Sequence, residues 1–432
     1  MHLKEKMVEM IQRLSLLLPA GVILLLVWAC AGTEKKGPAA GGVYVFDTDT
    51  ILHQEDFKYS SLFDSVRVIP LDNASFLLNT VQRFKVCPDG WVVWDSWKSQ
   101  GIALFDRNGA FVRRIGSQGM GPEEYRSCED IAVDALKGQV YVLDRAGRAV
   151  RVYRLPDGGF VRSLPLPEKL WVNRIGCGGG SLYLVKTNFL MDKTNPEAYV
   201  GQDCILYRMD DVTGEVTDML FPYRTHNKGW LDSFRTIENF YRLDNECSLF
   251  SFGVMDTLMC ITSEGVSPFL ALSGEKLVTR QEVESILEGA DFTSLRGQLE
   301  VGRKLHALGM KEGKVLGVTN VFAHGGNLYF NYLNPALLFA VCSLETGECS
   351  SYMHTVDDVF FTSGLPVGST LFSFLGADGG GVYYVVSTEQ LGELTHHVEQ
   401  GLVSDKVRNA EALRQLDEDS NPVILYYEFK EE

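Results

Sequence analysis

Residues 115–125 read IGSQGMGPEEY, with Gly116, Gly119 and Gly121 inside six positions, followed by Pro122, Glu123, Glu124 and Tyr125. A glycine-rich turn can point backbone N–H groups at a phosphate, usually ahead of a helix and often with a Lys-Ser/Thr pair. Here Pro122 removes one donor, and two glutamates would repel an anion. The continuation CEDIAVD alternates as a strand does. The segment is therefore expected to be a connector. Its glycines let the chain cross over, Glu124 ties backbone N–H groups, and Tyr125 packs beneath the turn. Gly119, Gly121, Pro122, Glu124 and Tyr125 form the structural signature of the chain.

Other chemistry is harder to find. After the first thirty residues the histidines are His53, His226, His306, His324, His354, His396 and His397, with no H-x-H or H-E-x-x-H spacing. His396 and His397 fall on a predicted helix, where neighbours point about 100° apart. A site assembled from several repeats would be dispersed in sequence, and His324 and His354 are its candidates. No G-x-S-x-G elbow occurs. Carboxylate pairs for glycoside chemistry cannot be selected from 56 acidic residues without geometry. Trp91, Trp94 and Trp97 cannot all share one face of a strand, so packing is expected of them before sugar stacking. No catalytic residue, metal ligand or cofactor is assigned.

The remaining reactive type is cysteine. LSLLLPAGVILLLVWAC, residues 14–30, is an apolar run too short for an ordinary membrane span and closed by Ala29 and Cys30. It is similar to a lipoprotein signal, in which the cysteine thiol takes diacylglycerol and becomes the mature N-terminus. Residues 1–29 are expected to be that signal, and 30–42, rich in Gly, Ala and Lys, a flexible tether. Eight further cysteines show no C-x-x-C. Cys177, Cys204 and Cys260 sit in apolar runs, where buried thiols are the expectation. Cys342 and Cys349 flank LETGE and are placed to face each other across a hairpin. The formal charge of −16 excludes a nucleic-acid partner. The membrane, through Cys30, is the expected partner.

The elements that position these residues are short strands. Six apolar runs share one pattern: WVVWD (91–95), VYVLD (140–144), LYLVK (182–186), LFSF (249–252), LYFNY (328–332) and VYYVV (382–386). Their length favours strand over helix, and most follow a glycine turn. A strand–turn–strand unit follows most of them, as in GIALFDRNGAFVRRIG. The shortest interval between runs, about 42 residues, suits one four-stranded blade of a propeller. Two sandwiched sheets would leave the sixfold recurrence without a reason. VTRQEVESILEG opens with a capping box, Thr279 to Glu282, that Val278 and Val283 staple. Helical insertions are expected at about 275–310 and 388–418. VYVFD, SVRVIPLD (65–72) and NPVILYYEFK (421–430) are left over as terminal strands whose pairing would close the ring.

SVRVIPLD, GIALFDRNGAFVRRIGSQGMGPEEY, DIAVDALKGQVYVLD and NPVILYYEFK, in that order, resemble the six-bladed β-propeller lipoproteins of Bacteroides-type bacteria, distant relatives of NHL-repeat propellers. GQVYVLDRAGRAVRVY is similar to one NHL unit, with Asp144 and Arg148 at its polar turn positions. The resemblance covers residues 43–432. It implies an all-β, six-bladed propeller, export, and lipid on Cys30, with the outer membrane as its seat. The functional expectation is a non-enzymatic binding or scaffolding propeller that takes a glycan, peptide or protein on its channel face. The alternative is an NHL-like envelope hydrolase or lyase with its site at the channel.

Overall fold

The structure, a computed structural model, describes residues 42–431 apart from 79–80, 96–100, 169, 187–203, 231–237, 292–293, 334–336, 368–373 and 418. The expected signal, the start of the tether, Cys30 and Trp97 lie outside the described residues.

Each of the six apolar runs is the second strand of its own antiparallel sheet, and the sheets stand as six blades of a propeller ring. Blade 1 is Arg83–Cys87, Gly90–Asp95, Gly101–Asp106 and Phe111–Arg114. Blade 2 is Asp130–Asp134, Gln139–Asp144, Ala149–Arg154 and Phe160–Pro165. Blade 3 is Arg174–Gly178, Ser181–Val185, Cys204–Met209 and Val216–Pro222. Blade 4 is Phe240–Arg242, Ser248–Phe250, Thr257–Thr262 and Gly265–Ser273. Blade 5 is Val318–His324, Asn327–Leu333, Leu337–Ser343 and Cys349–Asp357. Blade 6 joins Gly376–Asp378 and Gly381–Val386 to Val423–Phe429 and Phe63–Pro70.

The second strands read as unbroken apolar runs because both of their faces are covered by neighbouring blades. In Gly90–Asp95, Trp91 and Val93 pack with Phe105 and with Tyr383 and Ile424 of blade 6. Val92 and Trp94 point the other way, toward Ile131 and Val140 of blade 2. The two tryptophans thus belong to opposite interblade seams, each almost fully buried.

Closure takes place in blade 6. Val423–Phe429 pairs antiparallel with Phe63–Pro70, with Ile424 opposite Ile69 and Tyr426 opposite Arg67. SVRVIPLD and NPVILYYEFK therefore share a blade, but VYVFD does not join them. Tyr44–Asp47 instead adds a parallel fifth strand to blade 4, opposite Leu270–Ser273. The physical reason is Phe46, which is wholly buried and meets the rings of Phe330 and Tyr332 at 5.2 and 5.0 Å in the seam between blades 4 and 5. Leu52–Lys58 adds a parallel strand to blade 5 in the same way. Val407–Arg408 covers the outer edge of Phe63–Pro70 in blade 6.

First strands all run in one direction. The turns between first and second strands, and between third and fourth, therefore share one end of the ring, the turn end. Blade-to-blade links and second-to-third connections share the other. Both helical excursions leave from that second end. Arg280–Leu287 and Leu295–Glu312 lie between blades 4 and 5, and Thr388–Glu399 lies inside blade 6. Thr279 accepts from Glu282 N at 3.2 Å, and Glu282 accepts in return from Thr279 N at 2.6 Å. Val278 and Val283 are both buried in the core of this excursion.

Two disulfides lie in adjacent blades. Cys342 and Cys349 are register partners and are bridged across the hairpin expected for them. Cys260 differs from the expectation of a buried thiol, because it is half-buried and bonded to Cys247. Cys260 lies opposite Leu249 on the neighbouring strand, which brings it beside the turn that Cys247 ends.

Candidate functional site

The first strands surround an axial cavity of about 1020 Å³, which every blade helps to line. These strands are short and more polar than the second strands because one edge faces this space and has no strand partner. Lys85 comes from blade 1 and Glu238 from the residue pair preceding blade 4. In a six-membered ring those blades stand opposite each other, so the Lys85–Glu238 ion pair spans the axis. Glu238 also accepts from the backbone N–H of Asn239 at 3.0 Å and of Phe240 at 3.1 Å. Burial alone would raise its carboxyl, but the Lys85 and Arg83 charges outweigh burial and hold it below the usual glutamate value.

A second pair braces the same level. The Arg83 guanidinium bonds Asp130, both side chains being buried, and Asp130 accepts from Ile175 N at 2.9 Å. One arginine thereby links the first strands of blades 1, 2 and 3. On the far side the Tyr241 hydroxyl donates to the Glu238 carbonyl at 2.7 Å. It also accepts from Asn320 N at 3.3 Å. Asn320 sits at φ 52° within a bulge of the first strand of blade 5, a left-handed conformation that costs a non-glycine residue energy.

The walls carry aromatic rings from Phe84, Phe240, Phe322 and Phe374. Phe240 fits because blade 3 offers Gly176, where a Cβ would lie 2.4 Å from the ring. At the turn end the mouth is acidic, with Asp134, Asp244, Glu246 and Glu264 along it. Asp244 accepts from the N–H groups of Glu246 and Cys247, both at 2.7 Å. Asp378 also reaches the mouth but is committed elsewhere: it accepts from Arg107 at 2.7 Å, Tyr383 at 2.5 Å and Tyr426 at 2.9 Å. Cys177 lines the cavity, donates toward the Val133 carbonyl at 3.2 Å, and has its thiol pushed up to about 12 by burial. It is held as a thiol, the poorly nucleophilic form. Among the described residues no group of three His, Cys, Asp or Glu is placed to hold a metal ion.

The sequence signature lies away from this cavity, in the link from blade 1 to blade 2. Gln118 and Tyr125 form a parallel bridge. Gly119 N donates to the Tyr125 carbonyl at 3.0 Å, and Tyr125 N to the Ser117 carbonyl at 3.1 Å. Glu124 accepts from Gly121 N at 2.7 Å and from the Ser117 hydroxyl at 3.2 Å. A Cβ on Gly119 would come within 1.9 Å of the Glu124 carboxylate. The Pro122 carbonyl accepts from Arg151 at 3.1 Å, and the buried Tyr125 packs with Ile115 and Tyr153. Asp144, wholly buried, accepts from Arg126 N, Ser127 N and Gly147 N at 2.8–3.0 Å. The link is thus held from below by the turn of blade 2.

The histidine candidates are not brought together. His324 ends the first strand of blade 5 and stacks on Phe429 at 3.9 Å, whereas His354 is exposed on the outer strand of that blade. The residues that converge on the axis, Lys85, Glu238, Arg83 and Asp130, were not singled out in the sequence. The signal for Arg83, Lys85 and Asp130 is a charged residue in the short strand just before an apolar run, as in RFKVC and DIAVD, whereas Glu238 stands outside the strand Phe240–Arg242 and carries no such signal.

Residues 43–428 match the family model described as a domain of unknown function, DUF4934. The crystal structure of a protein described as exported, from Bacteroides fragilis NCTC 9343, superposes with a TM-score of 0.63 at 16% identity, covering 90% of this chain and 100% of that one. At that identity the likeness is one of fold. A member of the DUF4221 family from Bacteroides vulgatus ATCC 8482 gives a TM-score of 0.44 at 12% identity, over 85% of this chain and 97% of that one. No curated protein matches the chain.

Proposed function

The chain belongs to the DUF4934 family, and from that premise we propose an exported, lipid-tethered propeller that binds its ligand at the axial cavity without transforming it. The single observation that carries the reading is the cavity itself. It has aromatic walls from Phe84, Phe240, Phe322 and Phe374, a charged tie across its bore, and a lining drawn from all six blades. Binding sites of this kind are concave, largely apolar and fixed by few polar groups. The protonated Cys177 and the paired Lys85, Glu238, Arg83 and Asp130 act as walls and braces in this reading. Export and anchoring rest on the apolar run before Cys30 and on the resemblance to propeller lipoproteins, NHL kinship included.

Two experiments test it. Cys30→Ala should move the protein from the membrane to the soluble envelope fraction; retention in the membrane would remove the lipid anchor. Glycan and peptide arrays, followed by mass spectrometry of the bound material, should yield a ligand released unchanged. Ala135→Trp, which adds bulk at the mouth, should abolish its capture. A ligand recovered as cleaved product would replace binding by hydrolase or lyase chemistry.

A further inference from the structure

The charge balance of the mouth specifies the ligand more narrowly than the cavity does. Within the bore, Lys85 is spent on Glu238 and Arg83 on Asp130. At the turn end Asp134, Asp244, Glu246 and Glu264 face the opening, and Arg242 is the cation that accompanies them. The guanidinium of Arg242 goes to the Asn245 side chain and the Asp244 carbonyl, and Asp134 and Asp244 each hold two backbone N–H groups through a single carboxylate oxygen. Asp134 has Lys137 at 4.0 Å, but that ammonium is engaged by Asp211 at 2.5 Å. Beside Asp134 on the cavity lining stands an exposed apolar side chain, Leu136, 72% exposed. Inside the mouth are the phenylalanine faces.

Acids at the rim, an apolar ledge beside them and aromatic faces within make a graded environment. A long cationic side chain matches it. The head stays among carboxylates, the methylene stem lies on Leu136, and a neighbouring apolar residue reaches the rings. We infer that the axial mouth takes a basic segment of polypeptide, with lysine or arginine held by Asp134, Asp244, Glu246 and Glu264. The inference rests on the axial reading above and names the ligand class for it. The whole-chain charge of −16 adds long-range attraction for such a partner.

The probe is a fluorescein-labelled nonapeptide of alternating lysine and leucine, with its glutamine-for-lysine counterpart, read by fluorescence anisotropy at about 150 mM salt, where long-range fields are screened within about 8 Å. Three proteins are compared: the wild type, a mouth variant carrying Asp244→Asn, Glu246→Gln and Glu264→Gln, and a charge-matched control carrying Glu55→Gln, Glu393→Gln and Glu399→Gln on exposed surface elsewhere. The expected result is binding of the lysine peptide that weakens about tenfold or more in the mouth variant and stays within about twofold in the control. The glutamine peptide should bind the wild type at least about tenfold more weakly. Equal losses in the two variants, or equal binding of the two peptides, would overturn the inference. If another ligand class binds and is lost in Ala135→Trp, the axial site stands and the basic segment falls. If no ligand responds to Ala135→Trp, the axial site falls too.

Discussion

Asp357 shows what one buried carboxyl does to this ring. It ends the outer strand of blade 5, is 3% exposed, and accepts from Val359 N at 3.1 Å, Phe360 N at 2.7 Å and the Tyr427 hydroxyl at 2.7 Å. Tyr427 belongs to the closing strand, so the contact joins blade 5 to the seal of blade 6. Burial pushes the carboxyl up to about 6, against the hydrogen bonds that lower it. A folded-state value above the unfolded one means that the folded protein holds the extra proton. The stabilisation is complete below about 4 and is lost as pH rises through about 6, at most about 3 kcal/mol from this group. Asp357→Asn, which keeps an acceptor for the two N–H groups, should flatten the melting temperature between pH 4 and 7; curves parallel to the wild type would clear Asp357 of the effect. At the same scale, Gly119→Ala should cost about 1 kcal/mol, because the added methyl turns the Glu124 carboxylate away from Gly121 N and the Ser117 hydroxyl, measured by denaturant unfolding. The role of Glu124 and Tyr125 was readable because loop, glycines and acid are contiguous. The role of Lys85 was not, since its partner is 153 residues away.

Among the elements, legibility followed coverage. A second strand such as Gln139–Asp144 is enclosed on both faces, so burial selects apolar residues throughout and the run announces itself. First strands border the cavity, are as short as Phe240–Arg242, and mix charge with aromatic residues, so no periodicity marks them. The parallel strands Tyr44–Asp47 and Leu52–Lys58 were harder still. Their pairing is decided by Phe46 and Phe57 entering existing seams, and LHQEDFK carries the composition of a loop. Phe46→Ala should therefore destabilise the protein by about 3–5 kcal/mol, as measured by chemical unfolding, even though it lies in a short peripheral strand. Thr279→Ala should cost about 1 kcal/mol by removing the cap of Arg280–Leu287.

For the whole molecule, the ring could be foreseen from a sixfold recurrence and two unpaired tails, and its seal in blade 6 follows that logic. Truncation after Ser420 removes the strand between Gly381–Val386 and Phe63–Pro70. It should abolish cooperative unfolding, while residues added between Gly325 and Gly326, in an exposed hairpin turn of blade 5, should leave the transition intact. The channel was expected from the ring, but the residues that line it could not be foreseen, because they are gathered one short strand at a time from six distant places.

The Lys85–Glu238 strut across the bore has a consequence for traffic. A polymer cannot be threaded from one end of the ring to the other unless it first parts an ion pair. A guest of the kind proposed would have to arrive and depart by the same doorway, as a chain tip, a bent loop or a protruding side group.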